Sequence, residues 1–196
     1  DSVIQSIDAS TIYEVPLLMK NEKLDQVVLK KLDLKISNGT NLKKWSSFVD
    51  RLKFPKNKIK IGLIGKYVEL QDSYKSILES LIHAGSENET QVDVVSIHSE
   101  FIDEKQIKNE ICKLDGVLVA PGFGSRGIEG KIEAIKCARE ENIPFFGICL
   151  GMQMAVIEFS RNILGLKDAN STEMEENTPH PVIALMENQK NITNKG

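Results

Sequence analysis

The stretch Gly147–Gln153, GICLGMQ, places a cysteine between two glycines where an apolar run at 143–148 gives way to a helical pattern at 153–162. A buried strand is predicted for the run, followed by a helix with an apolar side of Met152, Ala155, Val156 and Phe159. A nucleophile on such a sharp turn needs glycine neighbours, because a Cβ there would collide with the strand or the helix. Cys149 is therefore predicted to project from the carboxyl end of a sheet, over helix N–H groups that favour its thiolate.

A second glycine loop, 118–127 (LVAPGFGSRG), follows an apolar run that starts at Gly116 and precedes a helical stretch at Ile128–Glu140. Attack by Cys149 on a carbonyl would create an oxyanion. Backbone N–H donors stabilise such an oxyanion by about 2.7–4 kcal/mol each. The N–H groups near Gly122 and of Leu150 are the predicted pair.

Strand and helix patterns alternate from Lys58 onward, which predicts an α/β fold with a mostly parallel sheet and helices on both faces. Before this region, 36–57 is polar and contains a short helical pattern around 42–52, as expected of an interdomain linker. The strands are predicted at 59–65, 92–98, 116–120 and 143–148, and the helices at 73–84, 104–114, 128–140 and 153–162.

Four segments together resemble the class I glutamine amidotransferase domain of the CTP synthase family: 147–153 (GICLGMQ), 121–135 (PGFGSRGIEGKIEAI), 168–173 (DANSTE) and 65–85 (GKYVELQDSYKSILESLIHAG). The segment 11–32 resembles the last part of that family's synthetase domain. The resemblance implies a flavodoxin-like fold and three regions: a synthetase tail at 1–35, a linker at 36–57 and an amidotransferase domain, incomplete at its C-terminal end, at 58–196.

The same resemblance implies roles for individual residues. Cys149 would attack the side-chain amide of L-glutamine, and Gln153 and Glu173 would hold the α-amino and carboxylate ends of that substrate. The resemblance also implies contacts with glutamine or its oxyanion for Gly122, Leu150, Gly151 and Met152. In a weaker match, it implies positions near the adenine of ATP for Ile7, Asp8 and Ala9.

The family's partners follow from the resemblance as expectations. Ammonia released from glutamine would pass to the synthetase domain and attack UTP activated by ATP, giving CTP. ATP and Mg²⁺ would bind in the synthetase domain, so that no cofactor or metal is expected within this chain. GTP is expected as an activator, and the whole enzyme is expected to be a homotetramer.

The chain departs from the family pattern in three ways. Pro121 occupies a position where many members have glycine, and proline has no N–H to donate. The family's catalytic His and Glu lie in a HisProGlu-like motif beyond this sequence, while His180 is followed by Pro181 and Val182 and is interpreted as a loop residue without that role. The UTP site is absent as well. The chain is therefore expected to be an interior piece, inactive by itself, with neither His83 nor His98 as its base.

Composition adds exclusions. With 25 basic and 28 acidic side chains, the net charge of −3 indicates neither nucleic acid nor an anionic membrane as a partner. The chain lacks an apolar run long enough to span a bilayer and begins without a signal pattern, so a cytoplasmic location is expected. The spacing of the cysteines suggests neither disulfides nor zinc. Cys112 and Cys137 are interpreted as structural, because both lie in helical patterns without glycine neighbours.

Three other functions stay open at this point. Another class I amidotransferase, such as those making GMP or anthranilate, would share the elbow at Cys149. A cysteine hydrolase of the flavodoxin-like group would carry histidine directly after its nucleophile, where this chain has Leu150. A module that only docks or assembles would retain the fold without the reaction.

Overall fold

The computed structural model describes residues 3–35, 39–100 and 104–186, with the side chains of 71, 104 and 105 left aside. Residues 1–2, 36–38, 101–103 and 187–196, which include the outer limits of the predicted regions, lie outside the described residues. The chain divides into two compact units, the first formed by Asp1–Lys58 with Ile82–Gln91 and the second by Ile59–Leu81 with Val92–Gly196. The predicted boundaries at 35 and 57 stay predictions.

Helices α1 (Val15–Asn21), α2 (Leu24–Lys31) and α3 (Lys43–Lys53) belong to the first unit. An aromatic cluster holds this unit together: the indole Nε1 of Trp45 donates to the carbonyl of Tyr13 at 2.7 Å, and the Tyr13 ring meets the Phe48 ring edge-on at 5.2 Å between centroids. The Tyr13 hydroxyl also bonds to Nε2 of His83 at 2.8 Å. Helix α3 confirms the helix predicted around 42–52.

The second unit contains most of a four-stranded sheet with the order β2-β1-β3-β4. Strand β1 pairs in parallel with β3, and β3 in parallel with β4. The strands are β1 (Asn57–Gly65), β2 (Thr90–His98), β3 (Gly116–Val119) and β4 (Phe145–Gly147), and the helices between and after them are α4 (Lys75–Glu87), α5 (Glu104–Ile111), α6 (Ile128–Glu140) and α7 (Leu150–Asn162). The predicted mostly parallel α/β sheet is confirmed.

Alternating side chains of the inner strands supply two cores, one on each face of the sheet. Ile64 and Val119 pack with apolar residues of α5, α6 and α7. Leu63 and Leu118, one position earlier in each strand, pack with Tyr74 and with the first turns of α4. The inner strands are thus covered on both sides, as is usual for parallel sheets.

Two predictions about the elbow are wrong in detail. Strand β4 is shorter than 143–148 and is not buried: Phe146 is 63% exposed, because β4 is at the edge of the described sheet. Helix α7 begins at Leu150 rather than Gln153, and the predicted apolar side is largely exposed, with Met152 at 51%. The opposite side, with Met154 and Ile157, packs into the core.

A separate short sheet follows α7. Strand β5 (Ala169–Ser171) pairs in parallel with β6 (His180–Ile183). His180 therefore begins a strand and is not on a loop as predicted, because it pairs with Ala169 of β5. Among residues 3–35, 39–100 and 104–186, no helix combines the length and the apolarity needed to cross a membrane.

Candidate active site

Cys149 lies between β4 and α7, where the sequence predicts it, and its backbone is strained. Its φ of +52° and ψ of −109° are values that residues with a Cβ rarely adopt. Such an outlier at a strand-to-helix turn is typical of a nucleophile elbow. The residue is exposed, so its thiol can meet a substrate.

The other two thiols differ from Cys149 in position. Cys137 is buried in α6, and burial raises the pKa of its thiol to about 11, which keeps it protonated and unreactive. Cys112 is exposed just after α5, where its N–H donates to the carbonyl of Lys108 at 3.1 Å. Neither lies on a turn that leads from a strand into a helix.

The two elbow glycines are required by close backbone contacts. A Cβ on Gly147 would lie 2.6 Å from the carbonyl carbon of Gly151, and a Cβ on Gly151 would lie 2.2 Å from the carbonyl oxygen of Val119. Real Cβ atoms do not approach other atoms so closely. The absence of side chains therefore lets the start of α7 pass directly over the end of β3, as the sequence predicts.

The loop after β3 comes close to the first residue of α7. A Cβ on Gly122 would lie 3.6 Å from Cδ2 of Leu150, which is ordinary van der Waals contact. As the first residue of α7, Leu150 has an N–H with no acceptor inside the helix. The structure therefore brings together the two residues whose N–H groups are the predicted oxyanion donors.

Two lysines near this loop have no counterpart in the sequence analysis. Lys131 is fully buried, and its Nζ donates to the carbonyl of Ala120 at 3.2 Å. Lys66 is 9% exposed and donates from Nζ to the carbonyl of Phe123. A sequence signal for the first existed, because Lys131 stands at helical spacing with Ile128 and Ile135 on what is otherwise the apolar side of α6.

Gln153 and Glu173 line one cavity of about 420 Å³, together with residues of β5 and β6. Gln153 begins the second turn of α7, and its N–H donates to the carbonyl of Cys149 at 3.1 Å. Its side-chain Oε1 is buried and has no hydrogen-bond partner in the described part of the chain. An unsatisfied buried oxygen is costly, so a ligand with an N–H group would be favoured there.

The remaining predicted positions lie elsewhere. Met152 is exposed on α7, and the backbone of Gly151 packs against Val119. Ile7 and Asp8 are exposed and Ala9 is half-buried, all in the first unit. In the described ranges, no group of three or more His, Cys, Asp or Glu side chains is arranged to hold a metal.

Comparison with known proteins agrees with this architecture. Residues 69–193 match the family model described as glutamine amidotransferase class-I. The glutaminase domain of Trypanosoma brucei CTPS, solved with bound acivicin, is similar with a TM-score of 0.65 and 37% identity, covering 68% of this chain and 52% of that one.

Curated relatives are similar over the whole chain. It is 68% identical over 196 residues to a CTP synthase of Flavobacterium johnsoniae and spans 36% of that protein's length. It is 52% identical over 202 aligned positions to a CTP synthase of Methanocaldococcus jannaschii and spans 37% of that protein. Because the family model matches well over half of its residues, and because the elbow and the parallel sheet agree with that match, this chain belongs to the class I glutamine amidotransferase family.

Proposed function

We propose that Cys149 is the nucleophile that hydrolyses the side-chain amide of L-glutamine. The observation that carries this proposal is the exposed thiol on a strained turn at the N-terminus of α7. An amide is a poor electrophile, and a thiolate is nucleophilic enough to attack it when the oxyanion is stabilised.

The reaction has two covalent steps. The Cys149 sulfur adds to the amide carbonyl, and the N–H groups of Gly122 and Leu150 hold the resulting oxyanion. The tetrahedral intermediate collapses to a glutamyl thioester as its C–N bond breaks, and ammonia leaves with the proton that the Cys149 thiol gave up to form the thiolate. Water then adds to the thioester carbonyl, which releases glutamate and returns the thiol. A base other than His83 or His98 would activate this water, since His83 bonds to Tyr13 and Nδ1 of His98 accepts from the Glu100 N–H.

The cavity one turn along α7 suits the amino-acid end of the substrate. Glu173 would pair with the α-ammonium group, and Gln153, whose Oε1 is buried without a partner, would accept an N–H from the same end. Binding the α-groups there would leave the side-chain amide directed toward Cys149. Gly151 and Met152 would border this path at the start of α7.

For the whole protein we propose the CTP synthase reaction, because relatives with that name match every part of the chain. Ammonia from Cys149 would aminate UTP activated by ATP with Mg²⁺, and GTP would activate the enzyme. Homotetramer assembly, a cytoplasmic location and adenine binding near Ile7, Asp8 and Ala9 belong to the same proposal. The chain spans only about 36% of the length of those relatives, so these activities concern more sequence than is described here.

An isotope experiment tests this reaction. The complete gene product that carries this sequence is supplied with glutamine labelled with ¹⁵N at the amide, UTP, ATP and Mg²⁺, and the products are resolved by mass spectrometry. We expect the label in the exocyclic amino group of CTP. A different result would assign another amidotransferase: glutamate and ¹⁵N-ammonia are released, UTP stays unchanged, and the label enters GMP or anthranilate when their precursors replace UTP. No glutamate release at all would favour a docking module.

Exchange of Glu173 for glutamine is expected to raise the KM for glutamine about 10- to 100-fold with little change in kcat, since a hydrogen bond to a charged group contributes about 1.5–3 kcal/mol. Steady-state kinetics of glutamate release measure the effect. Glu176→Gln is the matched control, because Glu176 is an exposed carboxylate of the same acidic run outside the cavity. Equal KM values for the two variants would contradict the assignment of Glu173.

A further inference from the structure

Two buried ammonium groups hold the loop that follows β3. Lys131, from α6, donates to the carbonyl of Ala120, and Lys66, just after β1, donates to that of Phe123. A Cβ on Gly122, between these two carbonyls, would be 3.6 Å from Nζ of Lys131 and 3.8 Å from Cε of Lys66. The loop that carries the proposed oxyanion donor is thus fixed from both sides by cations.

Among the described residues, neither cation has an anionic partner. In the described part of the chain, no carboxylate forms an ion pair with Lys131 or Lys66, and the additional contact of Lys66 is the Tyr67 ring at 5.2 Å. Lysine is almost never fully buried unless it is paired, because its charge loses hydration. Packing alone does not explain Lys131, since the apolar residues around it on α6 would be matched better by another apolar side chain.

The anion that these cations lack can arise at the elbow. The elbow lies beside these cations, because the Cβ position of Gly122 is 3.6 Å from Nζ of Lys131 and also 3.6 Å from Cδ2 of Leu150, the residue after Cys149. Burial, and then the positive charge of Lys66, lower the pKa of Lys131 to about 8, while a charged Cys149 acts in the opposite direction. A thiolate at Cys149 and a cation at Lys131 therefore stabilise each other.

We propose that Lys131 is a positioning residue that, with Lys66, fixes the loop around Gly122 and supplies the positive charge that favours the Cys149 thiolate and the oxyanion formed from it. The oxyanion part rests on the proposed glutaminase function. The thiolate part does not, because it concerns the free protein.

The test measures the rate of alkylation of Cys149 by iodoacetamide as a function of pH, in the complete gene product, with each cysteine resolved by mass spectrometry. For Lys131→Met we expect the rate at Cys149 near neutral pH to fall about tenfold, because loss of a nearby positive charge disfavours the thiolate that attacks iodoacetamide. Cys112, which is exposed, serves as a reference within each sample and is expected to react as in the wild type. Glutamate release by the wild type reports the proposed function separately.

Lys136→Met is the matched control, because Lys136 is on the same helix but its ammonium pairs with Glu133 at 3.1 Å. We expect its Cys149 profile to equal that of the wild type. Equal profiles for Lys131→Met and Lys136→Met, in variants with an unchanged Tm, would overturn the proposal.

Stability provides a second readout. Methionine matches the shape of the lysine stem, and it removes both a buried charge, which stabilises, and the hydrogen bond to the Ala120 carbonyl, which destabilises. The Tm of Lys131→Met is therefore expected to stay unchanged while Cys149 slows, a combination that simple loss of structure would not give. If Lys131→Met does not fold, Lys66→Met decides: the same slower alkylation of Cys149 supports the proposal, and an unchanged rate overturns it.

Discussion

Replacing Cys149 with serine is expected to lower the rate of glutamine hydrolysis by about 10⁴-fold or more, because a hydroxyl at the same position is not ionised and attacks an amide far more slowly. The measurement is glutamate release by the complete gene product. The same variant is expected to keep CTP formation when ammonia is added directly, since that supply bypasses the elbow.

The matched control for this prediction is Cys112→Ser, which changes an exposed thiol outside the elbow. Its hydrolysis rate is expected to equal that of the wild type. Hydrolysis that persists in Cys149→Ser, or that is lost to the same extent in Cys112→Ser, would show that the elbow does not supply the nucleophile.

The Gly151→Ala variant is expected to lose about 3 kcal/mol or more of folding stability, or to fail to fold. The new Cβ would lie 2.2 Å from the carbonyl oxygen of Val119, a backbone atom of β3 that cannot move without disturbing the sheet. Urea unfolding followed by circular dichroism measures the change in the free energy of unfolding.

Gly122→Ala is the matched control for stability, since a Cβ there meets only ordinary contacts at 3.6 Å and beyond. Its unfolding midpoint is expected to remain within a small interval of the wild type. A similar midpoint for Gly151→Ala would mean that α7 can withdraw from β3 at little cost, and the close approach at the elbow would then not be a requirement of the fold.

The type of each helix or strand could be predicted from the sequence where its apolar residues followed one clear periodicity. Helix α6 begins and ends at the predicted residues, Ile128 and Glu140, because a glycine loop precedes it and its pattern is uninterrupted. Helix α7 was harder, because apolar residues occur on both of its sides. Periodicity cannot say whether the side with Met152 or the side with Met154 is buried. The sheet decides this, by covering the latter.

The site divides in a similar way. The elbow at Cys149 is local, so its glycines and its position between strand and helix could be predicted from seven consecutive residues. The neighbourhood of Lys66 and Lys131 is not local, because the two residues meet only after β1, β3 and α6 have assembled. The sequence does show Lys131 on an otherwise apolar face of a helix, but only the folded structure shows that Lys66 lies near it.

The backbone at residue 149 has a mechanical consequence. Glycine adopts a φ of +52° without steric cost, so stability alone would favour glycine at position 149 over a residue with a Cβ. The turn at Cys149 is strained, and at its helical end Gly151 packs closely against the carbonyl of Val119. The position of the Cys149 thiol and the packing of α7 against β3 therefore depend on the same few residues. A substitution that weakens this packing is expected to lower the reactivity of the thiol as well.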